Sequence, residues 1–208
     1  MRTWLISGLT LTLTVQLSGQ QTNWSIEGLG GYSRSFQTSD LNGGLELGAG
    51  VFYAMSGRTS LGVEASAFQL GENEMTRTFT TLFPPPPHQI TQTLGKAHDG
   101  LRVTGVIQKN LGERVVLRGG PGFYRFSAED SREEQDSTGT IVFPKTVTKR
   151  SSSGPGLAAG IGIVVFRPIP RLSIRLQMDL HFMFLSSDDG GLGFVHYASG
   201  GIRVAFGL

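Results

Sequence analysis

Arg171-Leu-Ser-Ile-Arg-Leu-Gln-Met-Asp-Leu-His-Phe-Met-Phe184 sorts its side chains by parity. Leu172, Ile174, Leu176, Met178, Leu180, Phe182 and Phe184 form one set. Arg171, Ser173, Arg175, Gln177, Asp179 and His181 form the other, until Met183 breaks it. Successive strand side chains point to opposite faces, so this segment is a strand with one apolar and one charged face. A helix would mix the two sets around its circumference. At the far end of the chain Ile202, Val204, Phe206 and Leu208 alternate with Gly201, Arg203, Ala205 and Gly207 in the same way.

Working outward, the same period marks eight segments, near 23–35, 44–55, 60–70, 99–108, 114–126, 156–166, 171–184 and 194–208. They have the length of tilted membrane-spanning strands, ~9–11 residues or a little more, rather than the ~5–6 of soluble strands. Connections 56–59, 109–113 and 167–170 are short, whereas 36–43, 71–98, 127–155 and 185–193 are long. Strict alternation of short and long connections belongs to membrane barrels with tight turns on one side and loops on the other.

Charge parity agrees with length. With the apolar face outward, Glu27, Glu46, Glu64, Arg102, Arg118, Arg175, Asp179 and Arg203 all point inward. Four acids and four bases in one narrow lumen have to pair, because an isolated buried charge costs several kcal/mol. A soluble barrel would carry the opposite polarity, apolar within and polar without. Glycines within the strands, among them Gly28, Gly48, Gly62, Gly160 and Gly201, permit coiling and make room in a small barrel. Trp24, Tyr32, Tyr53, Phe123 and Phe194 fall near strand ends, where an aromatic girdle would meet the headgroups.

Composition excludes several other classes. The 208 residues include 30 Gly and no Cys, and only 16% are charged. Without Cys there is no disulfide scaffold, thiolate zinc site or cysteine nucleophile. Eighteen Lys and Arg nearly cancel sixteen Asp and Glu, so the net charge of +2 does not point to nucleic acid. Residues 1–20 combine Arg2, an apolar Thr-rich run from Trp4 to Leu17, and the small residues Ser18 and Gly19. That is the pattern of a cleaved signal peptide, leaving 21–208 as the barrel domain. The uncharged stretch 151–166 holds Gly154, Pro155, Gly156, Gly160 and Gly162, so it is not a spanning helix.

On these features the chain resembles the small eight-stranded outer-membrane β-barrel family, of the OmpA-barrel and OmpX type. The resemblance covers about 21–208 and includes the last strand, Gly200-Gly-Ile-Arg-Val-Ala-Phe-Gly-Leu208. Ile202, Val204, Phe206 and Leu208 resemble the family's C-terminal assembly signal, which usually ends in Phe and here ends in Leu208. The resemblance implies an all-β, up-and-down antiparallel barrel in the outer membrane of a Gram-negative envelope. It implies insertion by the barrel-assembly machinery and contact with outer-membrane lipid and lipopolysaccharide.

Chemistry-bearing motifs are sparse. His196 and Ser199 faintly resemble the His-and-Ser motif of lipid A deacylase barrels, but three-residue spacing puts them on opposite faces of a strand. His181 shares the lumen face with Asp179 and Arg175, which favours an ion-pair network over a catalytic pair. The run Glu129, Asp130, Glu133, Glu134 and Asp136 lacks the spacing of a calcium loop. Gly154-Pro-Gly156 and Gly160-Ile-Gly162 precede no helix and have no Lys placed for phosphate. Pro84 to Pro87 lie between Thr-rich arms at 76–83 and 89–94, which read as strands rising above the membrane with prolines at their tip. Thr146-Val-Thr148 is a further candidate for that sheet.

The expectation is a monomeric, non-enzymatic barrel without cofactor or metal, its lumen plugged by paired charges. Its unknown external partner is expected at 71–98 and 127–155. A narrow, porin-like pore for small solutes is the alternative reading, and a lipid A-modifying enzyme the second.

Overall fold

The computed structural model describes residues 23–36, 43–81, 88–187 and 192–208. The expected signal peptide and Pro84 to Pro87 lie outside these residues. The chain forms eight strands: β1 (Trp24–Ser35), β2 (Gly44–Ser56), β3 (Thr59–Thr81), β4 (His88–Leu111), β5 (Val115–Asp136), β6 (Ile141–Ile169), β7 (Leu172–Ser187) and β8 (Leu192–Gly207). Each pairs antiparallel with the next, and β8 pairs with β1 to close the ring.

Closure depends on small residues at the seam. Gly31 of β1 faces Gly201 of β8. A Cβ on Gly31 would lie 2.5 Å from the Gly200 carbonyl oxygen, and one on Gly201 would lie 2.6 Å from the Gly31 Cα. Real Cβ atoms do not approach backbone so closely, so the inward coil at this seam requires glycine.

The parity read from the sequence holds around the ring. Leu47, Val103, Leu176 and Ile202 are each more than half exposed on the outside, whereas Glu46, Arg102, Arg175 and Arg203 between them are buried. A continuous outer band of large aliphatic and aromatic side chains is a surface only lipid covers at low cost. The barrel therefore crosses a membrane on its strands, and closure of the ring leaves no strand edge open to lipid at that depth.

Two expectations need correction. Residues 71–98 and 127–155 are not loops: β3, β4, β5 and β6 run on through most of them. The β3–β4 ladder continues to Thr81 opposite His88, and the β4–β5 ladder to Ile90 opposite Asp136. The result is a four-stranded sheet beyond the lipid band. A tight turn closes its β5–β6 arm, where the Asp136 carboxylate accepts from the Thr138 and Thr140 amides at 2.9 Å. Gly139, at φ 80°, supplies the left-handed residue that this turn needs. The second correction concerns 167–170, expected as a turn. β6 continues to Ile169 through two irregularities, leaving Pro170 and Arg171 to make the reversal. The prolines there tolerate strand geometry because bulges already interrupt the ladder.

The transition from barrel to sheet has a single pivot in β3. The β3–β4 register shifts between Gln69 and Gly71, and Gly71 has φ 106°. This bulge exchanges the parity of β3, so Leu70 faces the lumen while Glu72 and Glu74 beyond it face outward.

Leu176→Arg should destabilise the barrel by ~2–4 kcal/mol in urea unfolding from liposomes, because its side chain meets hydrocarbon. Val147→Arg, on the sheet beyond the lipid, should change stability by no more than about 0.5 kcal/mol. Equal losses would refute the placement of the band.

Candidate functional site

The inward row of each strand brings the eight ionisable residues singled out above into one network. Glu64 on β3 is its hub. Arg203 of β8 engages it with both terminal nitrogens, one bond measuring 3.0 Å. Arg118 of β5 donates to Glu64 at 2.8 Å and Arg102 of β4 at 3.1 Å. Arg102 also pairs with Glu46 of β2 at 2.6 Å. Arg203 reaches Asp179 of β7 at 3.3 Å, and Arg175 of β7 pairs with Glu27 of β1. All eight side chains are buried. Charge-assisted bonds of this kind compensate desolvation only when geometry is good and few groups are left over.

Room for this network comes partly from glycine. Gly160 of β6 stands opposite Asp179, and a Cβ there would overlap the Asp179 carboxylate. The gap beside Leu29, Glu46, Gln177, Asp179 and Ser199 is too small for a water molecule.

Several members of the network carry no formal charge. Gln108 donates to Glu27 at 3.1 Å and accepts from Arg175 at 3.0 Å. Gln177 donates to Asp179 at 2.8 Å. Arg102 donates to the Tyr197 hydroxyl at 2.9 Å, and the Tyr124 hydroxyl lies 3.2 Å from His181 Nδ1. His181 stacks on Tyr197 with ring centroids 4.4 Å apart, and Tyr197 stacks on Phe68 at 4.8 Å. The same parity that selects Arg203 also selects Tyr197 and Ser199, so this signal was available but ambiguous without charge.

Above these aromatics the lumen turns apolar. Phe68, Leu70, Tyr124, Phe126, Met183, Leu185 and Tyr197 form one buried cluster at the end nearer the sheet. Met183, which breaks the polar set of β7, belongs to this cap. Phe52, Val106 and Val116 are buried toward the opposite end. The ionic network thus lies between two apolar layers.

His196 and Ser199 do not meet. His196 stacks with Phe36 at 5.8 Å and lies 5.7 Å from Phe194, on the outer side. Ser199 is buried and lies 3.2 Å from His181 Nε2. In the last strand, Ile202 and Val204 are exposed on the lipid face, Phe206 and Leu208 are half-buried, and the Leu208 amide donates to the Trp24 carbonyl at 2.8 Å.

The second candidate surface is the sheet itself. β3 beyond Phe68 has no partner on its β2 side, and β6 before Ser152 has none on its β7 side, among the described residues. On the lumen-side face Gln92 donates to Glu134 at 2.8 Å, and Arg132 binds Glu134 while lying 5.7 Å over the Phe143 ring. Arg132 and Gln92 hold the Glu134 carboxyl below the usual carboxylate range. The opposite face is concave. Its trough, about 910 Å³, has Glu72 and Glu74 on the β3 side, Ser131 and Gly95 in the floor, and Lys145 and Lys149 on the β6 side. Lys149 pairs with Glu129 at 2.9 Å. The acidic run 129–136 is thus spread over both faces of a strand, and among the described residues no group of three or more His, Cys, Asp or Glu could hold a metal ion.

No family model and no curated protein matches the sequence. Solved structures similar to it include Ail, the attachment invasion locus protein of Yersinia pestis, at 15% identity over 88% of this chain and 96% of that one, with a TM-score of 0.46. Neisserial surface protein A is similar at 10% identity over 89% and 96% of the two chains, with a TM-score of 0.39. The N-terminal β-barrel domain of Pseudomonas aeruginosa OprF is similar at 12% identity over 90% and 100%, with a TM-score of 0.28. Identities this low concern the fold alone.

Glu64→Gln should cost ~3–5 kcal/mol in unfolding experiments, because three guanidiniums lose their common partner inside the barrel. Replacing Glu27 and Arg175 together by Leu should cost less than replacing either alone. A double variant weaker than both single variants would show that the network is not governed by leftover charge.

Proposed function

We propose that the protein is a monomeric outer-membrane β-barrel with a non-conducting lumen, acting through surface contacts made by the sheet beyond the bilayer. The observation that carries this reading is strand length. β4 has 24 residues and β6 has 29, where a crossing needs ~9–11. From the Gly71–His98 pair to the Thr81–His88 pair the β3–β4 arm extends on the order of 35 Å beyond the barrel, at ~3.3 Å per residue. Crossing lipid explains none of that extra length. Two sheet edges, a charged trough and the exposed Met75, Phe79, Ile141, Val142 and Phe143 provide binding surface there. Open edges and apolar patches usually serve association when a protein keeps them exposed.

A plugged lumen is supported by the buried ion pairs and by the apolar layers above and below them. A non-catalytic role is supported by the separation of His196 from Ser199, and by the burial of His181 against Arg102, Tyr124 and Tyr197. Export through a signal peptide, assembly through the last strand, and contact of the outer band with phospholipid and lipopolysaccharide complete the reading.

Shortening the arms by replacing 72–97 and 129–149 with tight turns should leave a folded, heat-modifiable barrel, because each ladder below the cuts is intact. Binding to external partners should be lost. Planar bilayers should show no steady large conductance for the full chain, and lipid A mass should be unchanged in cells expressing it. Steady conductance would favour the narrow pore instead, and altered lipid A the enzyme. Failure of the shortened chain to assemble would refute the division between membrane barrel and binding sheet.

A further inference from the structure

The charges divide unequally among three zones. In the lumen four acids meet four bases, and on the sheet side the described acids and bases are also equal in number. The short-turn end is different. It carries Arg58, Lys109, Arg114, Arg167 and Arg171 against the single acidic side chain of Glu113. The excess of positive charge among the described residues therefore sits at this one end.

These cations have two further properties. Arg58, Lys109, Arg114 and Arg167 are exposed, Arg171 is half-buried, and none of the five makes an ion pair among the described residues. They are also interleaved with lipid-facing side chains. Lys109 lies on the outward face of β4, two residues beyond Ile107 and two before Leu111, both exposed. Phe166 and Ile169 flank Arg167, and both are at least half exposed. Trp24 packs edge-on against Tyr53 with centroids 5.1 Å apart on the same rim. They stand in register with Leu61 and Ile107, and Lys109 follows two pairs further on.

We propose that the short-turn end is a binding surface for anionic phospholipid headgroups of the leaflet it faces. The inference rests on the membrane reading above and adds a lipid preference to it. Alternation of cation and apolar side chain matches a lipid interface: the aliphatic and aromatic groups meet acyl chains, while Lys and Arg extend to phosphate. A soluble partner would leave Phe166 and Ile169 in competition with the bilayer. A zwitterionic headgroup brings its own ammonium and leaves the surplus of cations uncompensated, whereas phosphatidylglycerol or cardiolipin neutralises it. The shorter Debye length at high salt weakens such contacts, which gives the surface an ionic-strength signature.

Native mass spectrometry of the full chain, refolded in mixed micelles of equimolar phosphatidylglycerol and phosphatidylcholine, tests this. The wild type should retain phosphatidylglycerol at least about fivefold over phosphatidylcholine at low salt, and lose most of that preference in high salt. Combined Arg58→Gln, Lys109→Gln, Arg114→Gln and Arg167→Gln should abolish the preference. Combined Lys145→Gln, Lys149→Gln and Arg150→Gln, on the sheet, should keep it. Salt titration of the wild type carries the test even if the quadruple variant folds poorly, which its heat-dependent gel mobility reports. Equal retention of both lipids by an inserted wild type, or an undiminished preference in a folded quadruple variant, would overturn the inference. In the same micelles supplemented with lipid A, retained lipid A that falls only in the turn variant, with phosphatidylglycerol unchanged, would overturn it in favour of lipid A phosphate. A wild-type chain that never inserts would instead overturn the membrane reading and this inference with it.

Discussion

Four carboxylates and four guanidiniums are buried within a ring only eight strands wide, with lipid outside and packed side chains inside. Neither medium solvates them, so they neutralise one another or the ring does not close. Glu64 receives three arginines from three different strands, β4, β5 and β8, and thereby ties distant parts of the wall together. Such a network contributes less net stability than its number of bonds suggests, because desolvation offsets much of the Coulomb gain. Its larger effect is on register. Sliding any strand by one residue would turn its lipid-facing row inward and leave its charges in hydrocarbon. The ladder and the network thus specify each other.

The same constraint explains the distribution of small residues. A wall carrying so many long side chains inward needs compensating positions with none. Gly160 yields space to the Asp179 carboxylate, and the Gly31–Gly201 seam lets β1 and β8 approach. Where the ionic network ends, Phe68, Leu70, Phe126, Met183 and Leu185 fill the mouth of the barrel. An apolar cap at this point shields the ion pairs from solvent and from the screening it brings.

Beyond the cap, the strands leave the ring and obey different rules. β3 to β6 no longer have lipid on one side and packed charge on the other, so both faces become mixed. Glu129 and Lys149 share one face, Arg132 and Glu134 the other. In β3 the bulge at Gly71 accompanies this change, whereas β4 and β5 keep their mutual register and change only in the residues they carry. At the opposite end the strands stop almost where the lipid band stops, and cations lie at the boundary. The two ends of the molecule are therefore chemically distinct: one is a long, charge-balanced sheet, the other a short, cationic rim.

The sequence by itself determined the barrel. Period-two alternation, as in Leu172 to Phe184, needs no knowledge of neighbours, because side-chain direction in a strand follows from the backbone alone. The inward parity of Glu27, Glu46, Glu64, Arg102, Arg118, Arg175, Asp179 and Arg203 was legible for the same reason. Who pairs with whom was not. Glu64 and Arg203 are far apart in the chain, and their contact depends on strand tilt and ring closure, which no local pattern encodes. The extent of β3 to β6 was also hidden, since Thr-rich and charged segments read equally well as solvated loop or as strand when both faces are wet. Partnership across the ladder, Gln92 with Glu134 or Thr78 with Thr91, decided for strand, and such partnership exists only once the barrel has set the register below it.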